Sequence, residues 1–113
     1  MIGSVAGTEP SQSTTLIHII GPQGSGKSIR GRSIIESLRA KGKTALMPQH
    51  EGWDEHKTSH EWRTMRFRFL YTVELLYTVE HVVYDYLIIE HHDEPKNLDL
   101  QGKDSVIRME RCK

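Results

Sequence analysis

Apolar positions along this chain fall into short runs separated by glycine, proline and charged stretches, and the runs do not share one period. Thr14 to Ile20 (TTLIHII) is β-branched, apolar and closed by Gly21-Pro22, which predicts a buried strand. From Lys27 to Lys41, Ile29, Ile34, Ile35, Leu38 and Ala40 recur among charged residues. They form a rough helical stripe that stops at Gly42, placed to cap the helix C-terminus. Lys43 to Met47 predicts a second short strand, ended by Pro48, which cannot donate to a ladder. Gln49 to His60 is polar and irregular and predicts a long loop carrying Trp53. Tyr84 to Glu90 (YDYLIIE) predicts a strand buried on both faces, because Leu87, Ile88 and Ile89 are continuous. His91 to Lys103 follows as a charged loop, and Asp104 to Arg111 alternates well enough for an edge strand.

The stretch from Glu61 to Val83 fits two periods. Trp62, Met65, Phe69, Val73, Leu76 and Val79 recur as on one helix face, while Phe67, Phe69, Tyr71, Val73 and Leu75 alternate as in a strand. The pentamer LYTVE occurs at Leu70 to Glu74 and again at Leu76 to Glu80. A six-residue offset turns about 240° around a helix, so the copies would not share a face. The expectation adopted is nevertheless a helix. Parallel strands need a crossover, and this span has the length for one with no Gly or Pro inside. The alternation of β and α units then predicts an α/β fold: a small three-layer sheet, mostly parallel, of about four strands. Residues 14–113 make one domain, and the small and polar residues 1–13 are expected to form a flexible leader.

Composition narrows the function classes. Fifteen Lys and Arg balance fifteen Asp and Glu, so no overall field draws the chain to nucleic acid, and such a partner is not expected. No apolar run approaches the roughly eighteen residues of a membrane span. The single Cys112 cannot form an internal disulfide, and the N-terminus lacks the basic and apolar regions of a secretion signal. A cytoplasmic location is the expectation.

Candidate chemistry concentrates in Gly21 to Ser28, GPQGSGKS, which satisfies G-x-x-x-x-G-K-S/T between a predicted strand and a predicted helix. Glycines let successive backbone N–H groups approach phosphate oxygens where a Cβ would obstruct. Those amides and the positive end of the following helix make an anion cradle over Gly21, Pro22, Gln23, Gly24, Ser25, Gly26, Lys27, Ser28 and Ile29. Lys27 supplies a compact charge for the β- and γ-phosphates, and the Ser28 hydroxyl can complete a hydrated Mg²⁺.

With its third glycine, Gly24, this segment resembles the Walker A loop of the P-loop NTPase superfamily, in the GxxGxGKS form of its small kinase-like members. The resemblance covers the loop closely and the rest in outline. It implies a parallel sheet with nucleotide at the carboxyl ends of the strands, and a Walker B acid ending a second apolar strand. Glu90, after Leu87-Ile88-Ile89, stands at that place where the family usually has Asp. Glu90 is thus the expected Mg²⁺ acid beside Ser28, and Lys27 and Glu90 are the expected catalytic pair. ATP is the default nucleotide and GTP the lesser one, since no NKxD-type base-reading motif is present. The chain is short for the lid and acceptor insertions of related kinases. Slow hydrolysis therefore leads, with a phosphotransferase on a small acceptor or a non-catalytic module as alternatives. Charge beyond the loop would come from a protein partner or a second copy of the chain.

Other residues carry weaker expectations. Asp93 and Glu94 follow Glu90 closely enough to position water or metal, whereas Asp85 begins its strand at the wrong end of the sheet. Arg30 and Arg32 read as helix-surface residues. Arg63, Arg66 and Arg68 form a cluster that suits a solvated face, a phosphate or a partner. His56 and His60, and the pair His91-His92, match no zinc spacing, although one of the latter pair would stand near a γ-phosphate. Trp53 and Trp62 read as loop or core anchors.

Overall fold

The computed structural model describes residues 14–53, 57–73 and 76–111. In chain order the elements are β1 (Thr15–Ile20), α1 (Lys27–Ala40), β2 (Ala45–Leu46), a single 3-10 turn (Pro48–Glu51), α2 (Ser59–Thr64), β3 (Phe67–Val73), β4 (Leu76–Val82), β5 (Tyr86–His91) and β6 (Ser105–Arg108). Four strands form a parallel sheet in the order β2-β5-β1-β6, which places β1 inside, with Ile20 beside His91 on one flank and Arg108 on the other. The expected flexible leader and Cys112 lie outside the described residues.

Strand alternation sends successive side chains of β1 and β5 to opposite faces. On one face Ile17, Ile19 and Ile88 pack with Ile35 of α1, Ala45 and Met47. On the other, Leu16, Leu87 and Ile89 pack with Trp62 of α2, Phe67 and Tyr84. Each of these fully buried aliphatic side chains contributes about 1.5–3 kcal/mol. This two-sided burial explains why LIHII and LII contain almost nothing polar. The result is a small α/β domain whose sheet is covered on both faces.

The helix expected over residues 61–83 is not formed. Only α2 is helical there. It is opened by a capping box in which Thr58 Oγ1 accepts from Glu61 N and the Glu61 side chain accepts from Thr58 N. Beyond it the chain forms an antiparallel hairpin. Its register sets Leu70 opposite Val79, Tyr71 opposite Thr78, Thr72 opposite Tyr77 and Val73 opposite Leu76. The hairpin is rooted by Phe67, which is buried, meets Trp53 and Tyr84 edge-on at 5.0 and 5.8 Å, and lies beside Arg68, whose carbonyl accepts from the Tyr84 hydroxyl at 3.1 Å. The crossover from β2 to β5 is thus made by a short helix and a hairpin in place of one long helix.

One polar contact ties α2 to the edge of the sheet. The Arg63 guanidinium donates to the Asp104 carboxylate and to the Asp99 carbonyl, with side chains only 6% and 1% exposed at the ion pair. Asp104 also accepts from Leu16 N and Gln101 N, both at 2.9 Å, so it closes the start of β6 against β1. Arg63 is therefore taken, and the expected arginine cluster is not a cluster: Arg66 and Arg68 are exposed, Arg63 is buried. Among the described residues no helix is long and apolar enough to cross a membrane.

Candidate phosphate-binding loop

β1 delivers the chain to Gly21 at the carboxyl end of the sheet, and Gly21 N donates to the His91 carbonyl at 3.0 Å, tying the loop to the end of β5. A Cβ on Gly21 would stand 2.7 Å from the Met109 carbonyl oxygen and 2.8 Å from Ser25 Oγ, so only glycine fits this approach. Gly26 caps α1 with φ 88°, in the left-handed region, and no side chain caps the helix. The first-turn amides of α1 have no intrahelical acceptor and no side-chain partner there, which leaves them directed outward with the positive end of the helix dipole.

Lys27 is buried, and its Nζ donates to the Gly21 carbonyl at 2.6 Å and to the Pro22 carbonyl at 3.1 Å. Among the described residues no carboxylate pairs with it, so its charge is held by the loop alone. The Ser28 hydroxyl donates to Glu90 Oε2 at 3.1 Å across 62 positions of sequence. These groups line a cleft of about 250 Å³ together with Gln23, Gly24, Gly26, Ile29 and His92. Gly21, Pro22 and Ser25 build the loop beneath it, and Ser25 is buried with Oγ unpartnered.

Two residues of the expected polar loop turn out to position Glu90. Gln49 brackets its peptide, accepting from Glu90 N at 2.7 Å and donating to Glu90 O at 3.0 Å, while His50 Nε2 lies 3.0 Å from Glu90 Oε1. Gln49 thereby continues the edge pairing that β2 begins and abandons after two residues. Its only sequence signal was a Pro48 start for a single 3-10 turn.

The weaker candidates disperse. Glu94 forms a two-point ion pair with Arg108 at 2.6 and 3.0 Å, whose hydrogen bonds hold its carboxyl below the usual range, and Asp93 is exposed. Asp85 sits at the opposite end of the sheet, accepting from Thr44 N. Arg30 and Arg32 are exposed on α1. Trp62 is core, and Trp53, 41% exposed, packs on Phe67. His56 lies outside the described residues. Among the described residues no group of three or more His, Cys, Asp or Glu side chains gathers as metal ligands.

His91 and His92 part company: His92 lines the cleft, whereas His91 faces the other side of the sheet beside His18. There the rings stack at 5.1 Å, with His18 Nδ1 2.9 Å from His91 Nε2. Burial, with His91 and Arg63 adding to it and Asp104 opposing, lowers the His18 pKa to about 4. Burial also lowers that of His91, against the pull of Glu94. In both cases burial favours the neutral ring.

No protein-family model matches the chain, and no curated protein or solved structure matches it either.

Proposed function

We propose that this chain binds a Mg-nucleoside triphosphate in the Gly21–Ser28 cleft, ATP by default and GTP less readily, and hydrolyses it slowly. The observation that supports this most is the meeting of Ser28 and Glu90 at 3.1 Å beside Lys27 and the uncapped start of α1. A hydroxyl and a carboxylate oxygen are the hard donors Mg²⁺ accepts, and an open amide cradle suits phosphate. Ser28 and Glu90 would hold the ion, which, when bound, supplies neutralisation of charge on the phosphate oxygens. Lys27 would exchange its two loop carbonyls for phosphate oxygens, a short swing of one flexible side chain. Gln49 and His50 keep the Glu90 carboxylate in place. Among the described residues no arginine lines the cleft. Efficient turnover therefore calls for charge from a protein partner or a second copy of the chain, and binding without turnover in the isolated chain would mark a non-catalytic module.

Glu90→Gln keeps the shape and removes the charge. It should weaken the Mg²⁺ dependence or turnover more than the affinity for nucleotide. Wild-type values for both would make Glu90 a structural residue and remove this assignment.

A further inference from the structure

β3 and β4 form a sheet of their own, in which β4 pairs with β3 alone. Among the described residues the hairpin packs along no other element. It meets the domain at its root, where Phe67 and Val82 stand opposite each other and join the core around Trp62 and Tyr84. A hairpin of only two strands is marginally stable in water, and a third strand or a covering element is what this one lacks. Its sequence does nothing to discourage a further strand. From Phe69 to Val79, FLYTVELLYTV, Glu74 is the only charged residue and neither Gly nor Pro occurs. That is the composition of an edge that accepts another chain. Val79 is 45% exposed, and Glu80 and His81 after it are exposed as well.

We propose that β4 pairs with β4 of a second copy of this chain, the two running antiparallel about a two-fold axis at Val79 to make one four-stranded sheet. Of the hairpin's two edges β3 is the poorer one. The Arg68 carbonyl is already taken by the Tyr84 hydroxyl, and Arg66 and Arg68 put two positive charges at its start. The β4 strand is self-complementary. Centring the pairing on Val79 uses all seven residues from Leu76 to Val82 and sets Val79 opposite Val79 of the second copy, Glu80 opposite Thr78 and His81 opposite Tyr77. No like charges meet in this register, whereas a pairing centred on Glu80 would set two carboxylates directly opposite each other, which is destabilising. The same surface is used on both copies, so the contact closes as a dimer and leaves the two β3 edges outermost. The hairpin leaves the domain where Tyr84 leads into β5, at the amino end of the parallel sheet, so the pairing does not depend on nucleotide.

Sedimentation equilibrium of the full chain without nucleotide, from about 1 to 100 µM, tests this. The mass of the wild type should rise with concentration to twice that of one chain and stop there. Val79→Lys and Val79→Glu each set like charges across the axis and remove the central apolar contact, so each should dimerise about tenfold more weakly or worse. An equimolar mixture of the two should recover the dimer, because Lys then faces Glu, and no unfolded variant can give that result. If a charged variant does not fold, Val79→Cys combined with Cys112→Ser, which removes the single native thiol, decides the matter: a short bifunctional thiol reagent should join two copies. A wild type that stays monomeric up to about 100 µM, or that grows past the dimer into open-ended chains, would overturn the proposal. So would charged variants that dimerise as the wild type does, a mixture no better than its components, or a thiol variant that does not cross-link.

Discussion

Asp104→Ala removes the group that most tightly joins α2, β1 and β6. Four hydrogen bonds meet at the Arg63–Asp104 pair: Leu16 N, Gln101 N and the Arg63 guanidinium donate to the carboxylate, and Arg63 also donates to the Asp99 carbonyl. Without Asp104, a guanidinium whose side chain is 6% exposed keeps its charge but loses its counterion, and two backbone amides lose their acceptor. Breaking a buried pair in this way costs about 3–5 kcal/mol. For a domain of this size, with about 5–15 kcal/mol in total, that is a large share and should lower Tm by more than about 10 °C. Replacing both partners with apolar residues, Arg63→Met with Asp104→Leu, should recover most of the loss, since no charge is then stranded. Urea unfolding followed by circular dichroism measures both variants. A loss below about 1 kcal/mol for Asp104→Ala would refute the reasoning, because it is the cost of an exposed pair. Burial alone would raise the Asp104 pKa, but hydrogen bonds from Arg63, Leu16 and Gln101 outweigh it and lower it. This contribution is therefore complete above the ordinary carboxylate value and is lost as pH falls through the lower folded one.

Gly21→Ala should destabilise the chain by about 1–3 kcal/mol and weaken phosphate binding, because its Cβ would press on the Met109 backbone as well as on Ser25; a Tm at the wild-type value would show that the loop and the C-terminal segment yield freely. His18 makes a separate pH prediction. Its folded pKa of about 4 lies below the ordinary 6.5, so the unfolded chain takes up the proton first and stability falls as pH drops from 6.5 towards 4. Tm against pH should slope downwards in that window for the wild type and flatten in His18→Leu; an equally steep slope in the variant would contradict it.

β1, the glycine turn, α1 and the end of β5 were legible because local pattern determines them. A continuous apolar run, and a glycine-rich turn between a β-branched run and a helical stripe, each point to one local structure. The span after Glu61 was not legible in this way. Trp62, Met65 and Phe69 fit a helix and Phe67, Phe69 and Tyr71 a strand, and the choice is made by contacts distant in sequence, above all the burial of Phe67 against Tyr84. The duplicated LYTVE weighed against a helix, since its six-residue offset puts the two copies on different helix faces. Gln49 and His50 reach Glu90 across about forty positions, and Arg63 reaches Asp104 across a similar distance. Polar residues in a loop or on a short helix give no local sign of such partners.

The central claim, that Gly21 to Ser28 is a working phosphate loop, is tested most directly by calorimetric titration of the chain and its Lys27→Ala variant with ATP and GTP, each with and without Mg²⁺. Losing a charged donor to phosphate should weaken binding by about one to two powers of ten without unfolding the chain. Mg-dependent binding by the wild type that is weaker by this factor in the variant is the predicted result. Silence of the wild type towards both nucleotides, or a variant that binds as the wild type does, would contradict it.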